Sequence, residues 1–99
     1  MLNIEKKADG TNLEVKLSGR LDTVTAPQLE GAIRESIDGV TNLSFDFTEL
    51  EYISSAGLRV LLAAQKIMNK QGEMVVRNVS AEVNEIFEVT GFTDILSIE

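Results

Sequence analysis

A chain of 99 residues with nine Lys/Arg against sixteen Asp/Glu and no histidine carries a formal net charge of −7. It contains neither cysteine nor tryptophan, a single proline, and 43% hydrophobic residues. That composition excludes disulfide frameworks, thiol nucleophiles and zinc-thiolate sites, removes the commonest general base and metal ligand, and disfavours a nucleic-acid backbone as partner.

The length suits one domain spanning 1–99, with a radius of gyration near ~13 Å and a core that needs no staples. Lys6–Lys7 is the only adjacent basic pair, so no basic cluster overrides the acidic balance. No apolar run reaches the ~18–20 residues of a membrane span, and the start does not read as an export signal. The expectation is a soluble cytoplasmic domain with no membrane and no direct nucleic-acid contact.

In chain order, Leu2 and Ile4, then Leu13, Val15 and Leu17, alternate with polar residues and predict two half-buried strands. Between them Asp9-Gly10 marks a tight turn, because glycine tolerates positive φ; the opening is an antiparallel hairpin. Thr25-Ala26-Pro27-Gln28 fits a capping box, with the Thr25 side chain on the third helical N–H and Gln28 reaching back. Pro27 sits in the first turn, where it loses no helical bond. Leu29, Ile33 and Ile37 form the apolar stripe of this first helix, with Gly39 as its stop.

Leu43-Ser44-Phe45-Asp46-Phe47 returns to alternation, and a short loop leads to a second helix from Ser54–Ser55 to about Gln71. Its apolar surface is broad, with Arg59, Lys66 and Lys70 as a narrow solvated strip, and predicts a helix wedged between the sheet and neighbouring helices. Gly72 ends it and Met74-Val75-Val76 is a short strand. Ser80 caps a third helix carrying Val83, Ile86 and Phe87, Gly91 stops it, and Ile95–Ile98 is the last strand.

The order β-β-α-β-α-β-α-β predicts an α/β fold: a mixed sheet in which an antiparallel hairpin is followed by right-handed βαβ crossovers. Because Leu13–Leu17 and Leu43–Phe47 alternate, the helices are expected mainly on one face of the sheet.

The two serines at the start of the second helix are the most informative chemistry. A helix N-terminus has unpaired N–H groups and a positive dipole end, so a serine there can carry a phosphate; serine is equally a preferred N-cap. Small Ala56 and Gly57 would let a partner approach, although Gly57 also suits close packing. Asp22 reads as a turn residue bonding local N–H groups, and Arg59 as a solvated residue or a phosphate clamp. Asp46 and Glu49 have no third ligand, so no metal is expected. No nucleophile–base pair or Gly-rich phosphate loop is visible, so neither an enzyme nor a cofactor is expected. A receiver-like phosphoacceptor domain would need an acidic pair after its first strand and a late lysine, and the chain has neither.

Ser54-Ser55-Ala56-Gly57-Leu58, preceded by Tyr52-Ile53 and followed by Val60-Leu61-Leu62, resembles the phosphorylation-site segment of the STAS domain, anti-sigma factor antagonist family. Gly19-Arg20-Leu21-Asp22 followed by Ala26 is similar to the family's early segment. Gly72-Glu73-Met74 and Ile86-Phe87-Glu88-Val89-Thr90-Gly91-Phe92 resemble its later strand start and last-helix end. The resemblance implies the STAS fold and partner switching in the regulation of bacterial transcription. An unphosphorylated antagonist binds an anti-sigma factor that is also a GHKL-type serine kinase, phosphorylation separates the pair, and a PP2C-type phosphatase reverses the change. By position it implies Ser55 as phosphoacceptor, with Ser54 as the alternative because the family's aspartate at that place is absent. It implies a partner surface of Asp22, Thr23, Ser54, Ser55, Ala56, Gly57 and Arg59. A STAS scaffold that binds a partner or small ligand without phosphorylation is the alternative within the same fold.

Overall fold

The structure, a computed structural model, describes residues 2–99. Strands β1 (Leu2–Asp9) and β2 (Asn12–Leu21) are followed by helix α1 (Ala26–Ser36), strand β3 (Asn42–Ile53), helix α2 (Ser55–Gln71) and strand β4 (Glu73–Arg77). Helix α3 (Ala81–Thr90), a short 3₁₀ turn at Phe92–Asp94 and strand β5 (Ser97–Ile98) complete the chain. The five strands form one sheet in the order β1-β2-β3-β4-β5, with β1 antiparallel to β2 and every later pair parallel. The expected α/β architecture is therefore the one observed, and the Cα radius of gyration is 12.2 Å.

Pairing of Asp9 with Asn12 leaves Gly10-Thr11 as the two hairpin-loop residues. Gly10, at φ +63°, thus takes the first loop position, as a type II′ turn requires. Register then decides the faces. Leu13, Leu43 and Met74 lie side by side, as do Val15, Phe45 and Val76, and all six are buried. Phe45, Phe47 and Phe87 continue this side into α3, with ring centroids 5.9 and 6.4 Å apart, inside the range where aromatic pairs attract. Among the described residues the three helices cover this face; the other presents Glu14, Lys16, Ser44, Asp46 and Arg77 and carries none of them.

The adjacent lysines point to opposite faces. Lys6 reaches the end of α1, where its ammonium donates to Ser36 Oγ (3.0 Å) and the Ala32 carbonyl (3.2 Å) and lies 3.4 Å from Glu35. A cation there complements the negative end of the helix dipole. Gln71, at the end of α2, donates to the Ile37 and Val40 carbonyls, both at 2.7 Å, and ties the ends of α1 and α2 together.

Four expectations need correcting. The residues after Phe47 are not a loop: β3 continues to Ile53, paired with β2 throughout. Between Lys16↔Asp46 and Ser18↔Glu49, β2 advances two residues while β3 advances three, and a second slip follows between Gly19↔Leu50 and Arg20↔Tyr52. Each bulge shifts the side-chain phase, so the buried positions become Phe47, Leu50 and Ile53, a spacing of three that hides a strand from a period-two reading. The Thr25 capping box does not form: no side-chain cap bond is made there, and Gln28 instead donates to the Leu2 carbonyl at 3.4 Å. α2 packs on α1, β3 and β4 but leaves Ala63 and Ile67 exposed, so it is a covering helix more than a wedge. β5 keeps only Ser97–Ile98, because Ile95 and Leu96 close the turn after the 3₁₀ segment.

Candidate functional site

The site lies where β2 and β3 end and α1 and α2 begin. The backbone N–H of Ser54 donates to the Leu21 carbonyl at 2.8 Å, which brings the Asp22–Thr25 loop against the first turn of α2. Gly57 makes that approach close. A Cβ at this position would stand 2.7 Å from Leu21 Cγ and 2.9 Å from Ile53 Cγ1, closer than real Cβ atoms come. Gly57 is buried, so it seats α2 on the ends of β2 and β3 and does not itself offer contact atoms.

The two serines divide the work. Ser54 has an extended backbone and its Oγ accepts from the Gly57 N–H at 3.4 Å, which makes it the N-cap of α2. Ser55 is the first helical residue and is exposed; among the described residues its hydroxyl has no hydrogen-bond partner. No acidic residue lies in the first turn of α2, so the positive end of the helix is not neutralised from within. Arg59 is exposed one turn beyond Ser55, on the same side of the helix, and forms no ion pair among the described residues.

The loop opposite is held by its own polar groups. Asp22 Oδ1 accepts from the Val24 N–H (3.0 Å) and the Thr25 N–H (3.1 Å). The Thr25 hydroxyl donates to the Arg20 carbonyl at 2.8 Å and accepts from the Asp22 N–H at 2.9 Å. The threonine that resembled a helix cap is thus a clasp that closes the loop onto the end of β2. The Thr25 backbone bond is the main cause that holds the Asp22 carboxyl below its ordinary value, helped by the Thr25 hydroxyl and the Val24 N–H and opposed by partial burial. The turn-residue reading of Asp22 therefore describes its contacts.

The loop with the start of α1, and the start of α2, enclose a shallow groove, with Thr23, Ala26, Pro27 and Glu30 on one wall and Ala56, Arg59 and Val60 on the other. Of the residues singled out from the sequence, Asp22, Thr23, Ser54, Ser55, Ala56 and Arg59 are brought together around this groove or its rim, and Gly57 lies beneath it. Asp46 lies on the open sheet face, where its carboxylate accepts from the Thr48 hydroxyl, the Thr48 N–H and Asn78; these bonds lower its pKa. Among the described residues no group of three acidic side chains is placed to hold a metal ion.

Three residues of this region escaped the sequence reading. Arg20 lies with its guanidinium 4.4 Å from the Tyr52 ring centroid and 4.0 Å from Asp22, and the pair marks the rim where the open sheet face meets the site. Their proximity depends on the second bulge, which places Tyr52 opposite Arg20. Val24 is 85% exposed. The signal for it was available: an apolar residue between two threonines, in phase with neither the preceding strand nor the following helix.

Among the described residues no helix is long and apolar enough to cross a membrane. The family model described as STAS domain matches residues 3–99. The chain is 39% identical over 94 residues to the Bordetella bronchiseptica protein BtrV, named as an anti-sigma factor antagonist; the match covers 93% of this chain and 80% of that protein. It is 32% identical over 97 residues to the anti-sigma-B factor antagonist of Listeria monocytogenes, covering 95% of this chain and 84% of that one. The crystal structure of an anti-sigma factor antagonist from Mycobacterium paratuberculosis superposes with a TM-score of 0.90 at 25% identity, over 99% of this chain and 85% of that one. The chain belongs to the STAS domain, anti-sigma factor antagonist family.

Proposed function

We propose that this chain antagonises an anti-sigma factor in the cytoplasm by binding it while Ser55 is unmodified, and that phosphorylation of Ser55 releases it. The partner is a GHKL-type serine kinase: the γ-phosphoryl group of ATP passes to Ser55 Oγ, the hydroxyl proton is lost and ADP leaves. A PP2C-type phosphatase hydrolyses the phosphate and restores binding. The observation that carries this reading is the division of labour between the serines. Ser54 Oγ is committed to the cap, whereas Ser55 Oγ is exposed and free beside a groove.

The chemistry of release is a matter of charge. Phosphorylation adds about −1.5 to −2 charges at one point, taking the chain from −7 to about −9. Inside a desolvated interface, repulsion or clash amounting to a few kcal/mol is enough, since each ~1.4 kcal/mol is tenfold in affinity. The acidic balance suits a basic surface on the partner. No refolding is required, because Ser55 projects from an already formed helix.

The test is calorimetric binding of the kinase by the unmodified chain and by Ser55→Asp. The expected result is a loss of at least tenfold in affinity; equal affinity would overturn the switch. Intact-mass analysis after incubation with the kinase and ATP separates the remaining alternative, since a scaffold that works without phosphorylation would bind and stay unmodified.

A further inference from the structure

Two large apolar side chains stand almost fully in solvent, Val24 at 85% and Val89 at 81% exposure. Single exposed apolar residues are ordinary on a protein surface, so exposure alone says little. What separates the two is their support and their position. Val89 lies on the outer side of α3, beside Glu82 and Glu85, and that helix forms no wall of the groove at Ser55. Val24 is in the Asp22–Thr25 loop, immediately after Thr23, which lines the groove together with the start of α1.

The loop is also held in one shape by its own hydrogen bonds. Val24 donates its own N–H to Asp22 Oδ1, Thr25 does the same, and the Thr25 hydroxyl clasps Arg20 and Asp22. The Ala26 N–H closes onto the Asp22 carbonyl at 2.8 Å. Four residues are thus fixed by five hydrogen bonds that leave one valine pointing into water. A side chain presented this way loses little conformational freedom when it is buried, which is how anchor residues of interfaces contribute most of their affinity.

We infer that Val24 is the apolar anchor by which this chain docks on its anti-sigma factor, filling an apolar recess of the kinase beside the site that receives Ser55. The inference rests on the reading that the partner is such a kinase. Asp22 and Thr25 are then positioning residues, acting through Val24 rather than touching the partner's reacting atoms. The mixed chemistry of the surface supports this role. Beside Val24 the groove lined by Thr23, Ala26, Pro27, Glu30, Ala56, Arg59 and Val60 mixes apolar and polar side chains, as partner-binding patches do.

The experiment compares Val24→Thr with Val89→Thr in the full chain. Both swaps keep the β-branched shape and replace one methyl by a hydroxyl, so both chains should fold, as circular dichroism and thermal melting would show. The expected result is about tenfold weaker kinase binding and about tenfold lower kcat/KM for phosphorylation of Ser55 with Val24→Thr, and no change with Val89→Thr. Val24→Ile, which keeps the apolar surface, should retain at least part of the lost affinity. If Val24→Thr binds and is phosphorylated like the unaltered chain, the anchor is overturned while the switch stands. An unaltered chain that neither binds nor accepts phosphate overturns the switch itself, and the anchor with it. Equal losses at Val24 and Val89 would also sink the anchor, since the effect would not belong to this loop.

Discussion

The starts of α2 and α3 are built from the same local chemistry and face different fates. Ser54 and Ser80 both have extended backbones, and each accepts from the N–H three residues on, at 3.4 and 3.2 Å. After Ser80 the first turn of α3 carries Glu82, which already complements the helix dipole and would repel a phosphate. After Ser54 the first turn of α2 carries no acid, an exposed Ser55 and the small Ala56, with Arg59 one turn on, and it faces a second wall made by Thr23 and the start of α1. A capped N-terminus is therefore structural by default. It becomes a candidate for modification through the residues just beyond the cap and the wall that stands across from them.

The largest effect that can break this contrast is covalent. Ser55→Ala should abolish phosphate incorporation by the kinase, whereas Ser54→Ala and Ser80→Ala should leave one phosphate per chain, read by intact mass. Incorporation at Ser54 or Ser80 in the Ser55→Ala chain would erase the distinction between the two helix starts. Next in size is the seat of α2. Gly57→Ala forces Leu21 and Ile53 to move, and overpacking of this kind costs about 1–3 kcal/mol. For a domain of this size that lowers Tm by roughly 4–8 °C per kcal/mol, and phosphorylation should weaken with it because the groove is displaced.

Smaller still is the contribution of the caps themselves. Ser54→Ala and Ser80→Ala should each cost about 1 kcal/mol in urea unfolding, a similar loss at both helices despite their different roles. A much larger loss at Ser54 would mean that this serine does more than cap. The smallest effect is on the acid side. Hydrogen bonds depress the carboxyls of Asp22 and Asp46 in the folded chain below their ordinary value of 3.8. Their contribution to stability is accordingly complete above that value and is lost as pH falls through the lower folded values. Asp22→Asn should flatten the acid limb of the stability curve below about pH 4. Its binding curve should show whether loosening the Val24 loop also weakens docking.

Much of the fold was legible because it is written in short-range periodicity. The alternation in Leu13–Leu17 and Leu43–Phe47, the four-residue spacing of Leu29, Ile33 and Ile37, and the serines before α2 and α3 all describe how a residue relates to its near neighbours. The far half of β3 was not legible, since its two bulges are answers to the register of β2 and change the period from two to three. Thr25 misled for a related reason. Its spacing to Gln28 fits a cap, but the end of β2 brings the Arg20 carbonyl and the Asp22 N–H within reach, and the hydroxyl bonds there instead.

The sequence by itself determined the element order, the face on which the helices lie and the resemblance to its family, and it singled out the start of α2. Tertiary structure alone decided which serine is committed to the cap, that Gly57 is a seat for Leu21 and Ile53, and that Asp22 and Thr25 hold Val24 out in solvent. The physical reason is range. Helical and strand periods are set by neighbours along the chain, whereas the partner of a hydroxyl or a carboxylate is set by the backbone groups that the sheet brings across from elsewhere.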